Sequence, residues 1–190
     1  MEDLSSKITA GLSRLSEVYK VLLWEQAKKL KLSPIQIQIL NFITYHKQEL
    51  CNVSYLAKEF NVTKPTISDA IRVLVNKKLL IKDFSSEDSR SYTLMLSLKG
   101  RAIVNETENF ANPIKEQLNN ISEEDFNILY KTITRLIYQL NRSGVLTVQR
   151  MCFGCKFYKA NGEQHYCNLL EKELLDSEIK LDCPEFIETN

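Results

Sequence analysis

At 190 residues the chain is long enough for one large or two small domains, and an apolar content of 44% suffices for a buried core. No run of about 18 apolar residues occurs, and the opening MEDLSSKITAGL lacks a charged-then-apolar export pattern, so membrane insertion and secretion are not expected and the cytoplasm is the expected compartment. The net charge of +1 hides an uneven distribution: Lys47 to Arg101 carries ten Lys or Arg against six Asp or Glu, whereas Val145 to Asn190 carries five against eight.

Leu4, Ile8, Leu12, Leu15, Tyr19, Leu22, Leu23 and Leu30 follow one helical stripe, which predicts a long helix over Asp3 to Lys31. Ser33-Pro34-Ile35-Gln36 then restarts the chain as a capping box, in which the Ser hydroxyl and the Gln side chain satisfy each other's free backbone N–H groups. A second helix to about His46 follows. Cys51, in the QELCN loop, reads as a small apolar filler rather than a redox sensor, because no basic or His neighbour adjoins it to lower its pKa.

From Val53 to Gly100 the pattern is helix, turn, helix, hairpin. Ile67, Ala70, Ile71 and Leu74 give Thr63 to Asn76 one buried face, leaving Lys64, Pro65, Ser68, Asp69, Arg72 and Asn76 outward and Thr66 near the leading edge. Thr63 can cap the first turn, where Pro65 is tolerated because the N–H it lacks has no intrahelical partner. Leu79 to Phe84 and Tyr92 to Leu96 are apolar and β-branched, while Ser85 to Ser91 is wholly polar, so a two-stranded hairpin with a solvated tip is predicted.

Leu56-Ala57 before the turn, Val62-Thr63-Lys64 entering the second helix, Asp88-x-Arg90 in the hairpin tip and Leu94-x-Leu96-Ser97-x-x-Gly100 after it resemble the multiple antibiotic resistance regulator (MarR) family of winged-helix repressors. The resemblance spans roughly Leu4 to Asn141, and the hairpin signature is its most specific part. It implies a recognition helix in the major groove of double-stranded DNA, with Lys64, Pro65, Thr66, Ser68, Asp69 and Arg72 at the interface. It further implies that Arg90 reaches into the minor groove and that Asp88 holds it there. The family usually has Gly before the first wing strand, where this chain has Lys78.

After the wing, Ser97 caps a predicted helix from Leu98 to about Leu118, bent or interrupted at Pro113. Ser122 opens another with Phe126, Leu129, Ile133, Leu136, Ile137 and Leu140 as its apolar face, and Gly144 ends it. Long helices flanking a small winged domain bury too little apolar surface in one chain, and in the resembled family the terminal helices of two subunits interlock. A homodimer on a near-palindromic operator is therefore expected.

Cys152-x2-Cys155-x11-Cys167-x15-Cys183 gathers four of the five cysteines into the last residues. Four thiols so placed in a reducing compartment point to metal ligation, and chelation would supply folding energy that so short a segment lacks. Phe153, Phe157, Tyr158, Tyr166 and Phe186 could wrap the centre, with His165 a substitute ligand or, preferred, a surface residue. One Cys-x-x-Cys pair followed by two spaced single cysteines looks like high-potential iron–sulfur proteins and the small cluster-binding subunits of some radical enzymes, and Cys183-Pro184 is similar to the Cys-Pro closing ferredoxin-type sites. The spacing places a [4Fe–4S] cluster slightly ahead of Zn²⁺. Because the tail continues the last helix, loss or oxidation of the centre is expected to alter how the dimerisation helices pack.

The fold expected is thus mainly α with a small β-hairpin wing: a winged helix-turn-helix flanked by long dimerisation helices over residues 1–144, and a four-cysteine metal-binding tail over 145–190. The function expected is a dimeric DNA-binding repressor, with which a small-molecule effector is compatible. The competing reading is an iron–sulfur electron-transfer or enzyme accessory protein whose winged domain mediates protein contacts. No Ser/His/Asp set, phosphate loop or paired-acid motif points to an enzyme.

Overall fold

The computed structural model describes residues 3–85, 92–162 and 164–189. Its helices are α1 (Leu4–Leu30), α2 (Pro34–Tyr45), α3 (Val53–Glu59), α4 (Lys64–Asn76), α5 (Leu98–Thr107), α6 (Asn112–Leu118) and α7 (Glu123–Arg142); its strands are β1 (Leu80–Asp83), β2 (Thr93–Leu96), β3 (Tyr158–Asn161), β4 (Gln164–Cys167) and β5 (Lys172–Leu174). They divide into two units, one of Met1–Leu56 and Thr63–Glu116, the other of Ala57–Val62 and Gln117–Asn190. The cysteine tail therefore shares a unit with α7 and with the short turn at 57–62, and the division does not fall at 144/145.

In the first unit α2 is the central helix, packed against α1, α4, α5 and β2. Ile37, Ile39 and Leu40 are fully buried on it, with Ile67, Ile71 and Leu74 of α4, Leu94 of β2 and Val104 of α5 completing the core. Asp3 starts α1 by accepting from the Ser6 N–H at 2.8 Å. At α2 the Gln36 half of the expected capping box forms, its Oε1 accepting from Ser33 N–H at 3.0 Å. The N–H groups of Gln36 and Ile37 bond instead to the Ser33 carbonyl, at 3.0 and 3.2 Å.

The hairpin is antiparallel, with Leu80 opposite Leu96 and Asp83 opposite Thr93. Leu94 N–H also reaches the Cys51 carbonyl at 2.8 Å, so the loop before α3 borders the wing. Cys51 itself is 1% exposed, and burial together with the Glu49 carboxylate pushes its thiol up to about 11. At pH 8 only about one Cys51 in a thousand is then thiolate, so it should resist iodoacetamide in the folded chain and react once denatured, as peptide mass spectrometry can check.

Lys78 takes the left-handed conformation that the resembled family gives to Gly, with φ 60°. Its N–H bonds Val75 O and that of Leu79 bonds Leu74 O, both at 2.9 Å, a Schellman ending for α4. The departure in sequence thus leaves the backbone path unchanged and costs about 1 kcal/mol of left-handed strain. Lys78→Gly is expected to raise stability by up to about 1 kcal/mol in chemical denaturation, the gain being trimmed by the extra unfolded-state freedom of Gly.

Ser97 caps α5 by accepting from Gly100 N–H at 2.9 Å and donates to Lys78 O at 2.7 Å. A Cβ on Gly100 would lie 2.2 Å from the Leu79 carbonyl oxygen, which explains the Gly of the Leu-Ser-x-x-Gly run. The single helix expected from Leu98 to Leu118 is two, since the chain leaves α5 at Thr107 and re-enters helix at Asn112. Pro113 sits in the first turn of α6, where its missing N–H and its ring are tolerated; within a continuous helix the ring would strike the Asn109 carbonyl.

In the second unit Ser122 caps α7, accepting from Asp125 N–H at 3.2 Å, and Gly144 ends it with φ 80°. The tail is a three-stranded antiparallel meander in the order β3-β4-β5, preceded by a 3-10 turn at Cys152–Gly154 and followed by one at Asp176–Glu178. α7 packs on the second of these turns, with Tyr130 Oη donating to Ile179 O at 2.5 Å and Lys131 Nζ 2.9 Å from Asp176 Oδ2. Among the described residues no helix is long and apolar enough to cross a membrane.

Candidate functional site

Two groups of residues stand out. The first is the outer face of α4. Thr63 Oγ1 accepts from Thr66 N–H at 3.3 Å, fixing the first turn, and Ile67, Ala70, Ile71 and Leu74 are buried beneath it. Lys64, Pro65, Thr66, Ser68, Asp69 and Arg72 are all exposed, forming one contiguous polar face. Asp69 is explained by its neighbour: its Oδ1 lies 2.9 Å from Arg72 Nη2 one turn on, so the carboxylate restrains the guanidinium instead of standing as an isolated negative charge. At the wing, Gln48 Nε2 donates to Asp83 Oδ2 at 2.7 Å and Thr93 Oγ1 at 3.0 Å, tying the hairpin base, and Lys82 Nζ lies 4.2 Å over the Tyr92 ring. Asp88 and Arg90 lie outside the described residues.

The second group is the cysteines. Cys152, Cys155, Cys167 and Cys183 all line one cavity of about 30 Å³, together with Phe157, Tyr158, Leu169, Leu174 and Glu185. The 3-10 turn presents the first pair, with Cys155 N–H on Cys152 O at 2.9 Å; β4 ends on Cys167; and Cys183 is held by its N–H on Arg150 O at 2.9 Å. Cys152 Sγ accepts the Lys180 N–H at 3.3 Å. Its thiol is pushed up by burial, against that hydrogen bond, and then by the other three sulfurs, so the four are near enough to sense one another's charge. Among the described residues, however, no three His, Cys, Asp or Glu side chains form a group set to hold a metal ion as they stand. The shared cavity decides where the sulfurs converge; the ligand cage is not preassembled.

Of the five aromatics expected around the cysteines, Phe157 and Tyr158 line the cavity, while Phe153 packs against Cys152, Leu174 and Ile179. Tyr166 faces outward on β4, at 36% exposure. His165 is not a surface residue. The strand alternation turns it inward to 7% exposure, its Nδ1 is 2.6 Å from Tyr158 Oη and its Nε2 3.1 Å from Asp176 Oδ1, so both ring nitrogens are engaged. Lys131, then His165, hold Asp176 below the usual carboxylate range.

One buried ion cluster has no short-range signature in the sequence. Arg150, 8% exposed, is bracketed by Asp182 and Glu59, the last residue of α3, all three within the second unit. Burial works to lower the Arg150 pKa, but the two carboxylates outweigh it and hold the guanidinium charged.

Residues 30–91, from the end of α1 through the wing, match the model of the MarR family. The chain also superimposes on solved structures. With MarR from Staphylococcus aureus in complex with salicylate and kanamycin, the TM-score is 0.64 at 19% identity, covering 73% of this chain and 93% of that one. The fold is that of the MarR regulators. A MarR protein from Peptoclostridium difficile gives 0.63 at 22% identity, over 75% of this chain and 93% of that one. The S. aureus MepR–DNA complex gives 0.60 at 22%, over 70% and 97%. In the MarR fold of this chain, α4 occupies the recognition-helix place in the order helix, turn, helix, wing, and its outer face is the one described above.

Proposed function

We propose that the chain is a MarR-type transcriptional regulator, a homodimer that represses by binding a near-palindromic DNA site. The observation that carries this is α4: a helix buried along one stripe and exposed along a basic and hydroxyl-bearing face, preceded by a capped turn that lets its first residues approach base edges. Lys64, Ser68 and Arg72 are the reading residues, with Pro65 and Thr66 at the leading edge and Asp69 orienting Arg72. Arg90, oriented by Asp88, enters the minor groove. Dimerisation is supported by apolar side chains left open on α1, such as Leu4 at 72% and Leu15 at 60%, and on α7, such as Phe126 at 46%. A cavity of about 470 Å³ beside Asn41, Tyr45, Thr107 and Phe110 has the size of a small-molecule effector site.

The four cysteines hold one metal centre per chain. Their donor set fits: four soft sulfurs suit Zn²⁺ or an iron–sulfur cluster alike. A cavity of about 30 Å³ has room for one or two water-sized spheres, which favours a single Zn²⁺ over the eight-atom cubane. Such an ion supplies a cross-link among the 3-10 turn, β4 and the Cys183 segment. The regulator reading is tested by light scattering: a mass twice 22.0 kDa, and one such dimer per operator duplex, supports it, while a monomer on DNA counts against it.

A further inference from the structure

Building on the regulator reading, we propose that Arg150 is the positioning residue through which the cysteine site governs DNA binding, acting on Glu59 at the end of α3. Its backbone is fixed by the cysteine segments: it stands two residues before Cys152, its carbonyl accepts Cys183 N–H at 2.9 Å, and it pairs with Asp182 in a parallel bridge. Its side chain is committed elsewhere as well. Nε donates to Asp182 Oδ1 at 2.6 Å and Nη2 to Oδ2 at 3.0 Å, while Nη1 donates to Glu59 Oε2 at 2.8 Å and Nη2 to Oε1 at 3.1 Å. Both carboxylates are thus gripped bidentately, a geometry that a planar guanidinium can offer and an ammonium cannot.

Glu59 is badly placed on its own. A carboxylate on the last residue of a helix meets the negative end of the helix dipole, and Arg150 offsets that repulsion from a nearly water-free position. Thr147 Oγ1 adds a second hold on the same turn by donating to Lys58 O at 3.1 Å. Immediately beyond, Asn61 is left-handed with φ 51°, its N–H on Lys58 O and that of Val62 on Ala57 O, and Thr63 caps α4. Whatever loosens Arg150 therefore frays the turn from which the recognition helix starts. The metal reaches that turn by fixing Cys152 and Cys183, the two segments that seat Arg150. The competing route runs through α7, which the tail touches at Tyr130 and Lys131.

The test compares zinc-loaded and chelator-treated full-length protein on a labelled duplex spanning the region upstream of its own gene. Wild type should bind about tenfold tighter with zinc, within the usual range of allosteric coupling. Glu59→Gln should still take up one zinc per chain, yet its affinity should change less than about twofold on loading, whereas Lys131→Ala keeps the full response. A Glu59→Gln protein that responds like wild type, or a Lys131→Ala protein that loses the response, overturns the Arg150 route. So does wild type that binds DNA equally with and without zinc, an outcome that leaves the regulator reading standing. Wild type that binds no DNA in either state overturns that reading and the proposal with it. Should Glu59→Gln fail to fold, hydrogen exchange in wild type decides: zinc must slow the Asn61 and Val62 amides, and unchanged exchange overturns the proposal.

Discussion

Replacing Cys152 and Cys155 together by Ser is expected to abolish metal loading and to unfold residues 145–190. The tail's buried cluster is only Cys152, Leu174 and Ile179, with Phe153, Tyr158 and Cys167 packed partly against it. Burying that much apolar surface contributes a few kcal/mol at about 25 cal/mol per Å², against a conformational cost of about 1 kcal/mol or more per ordered residue. A structural zinc contributes on the order of 10 kcal/mol, enough to reverse the balance. Serine removes two of the four soft donors and leaves hydroxyls in an apolar cavity. Metal analysis should fall from near one ion per chain to near zero, and limited proteolysis should cut within the tail while residues of the α2 core stay protected. A double variant that retains its metal and resists cleavage would remove the cysteines from the ligand set.

Arg72→Ala is expected to weaken operator binding by about 1 to 3 kcal/mol and to relax preference at one base position, if Arg72 reads a base edge. Arg72 can do so because Asp69 holds its guanidinium in line along the exposed side of α4. Asp69→Ala should cost less, since it frees the side chain without removing it. Lys64→Ala should weaken all sequences alike and reduce the salt slope by about one, as a phosphate contact does. Arg90→Ala, in the wing tip, should lower affinity by about tenfold or more, a minor-groove Arg being drawn by the negative potential there. Unchanged affinity in both Arg72→Ala and Lys64→Ala would remove this face of α4 from the interface.

Features set by near neighbours were legible in the sequence. The α4 stripe at Ile67, Ala70, Ile71 and Leu74, the caps at Thr63, Ser97 and Ser122 and the left-handed stop at Gly144 all depend on residues within one or two helical turns. Lys78 shows the same logic from the other side, because the hydrogen bonds of Leu79 and Lys78 dictate the backbone there whatever side chain it carries. The tail meander was missed although Asn161-Gly162 between Tyr158 and Cys167 is a hairpin signal, and Gly162 indeed turns with φ 63°. Its strands are only three or four residues long, and the cysteine spacing drew attention from the alternation that buries His165. Arg150 and Glu59 were beyond reach, since a pair separated by so much chain leaves no local pattern; only the folded second unit brings them within 2.8 Å. The four sulfurs' convergence on one cavity likewise follows from the pairing of Tyr158 with Cys167 and of Cys183 with Arg150, neither of which spacing alone specifies.

The central claim, that this chain is a sequence-selective DNA-binding dimer reading through α4, is tested most directly by titrating it against two duplexes of equal length at several salt concentrations. One duplex carries the region flanking its own gene and the other an unrelated sequence of matched composition. The account predicts one dimer per specific duplex, a preference on the order of 10³ or more over the unrelated one, and an affinity that falls steeply between 50 and 200 mM salt as released counterions require. Equal affinity for the two duplexes, or binding that ignores salt, would contradict it.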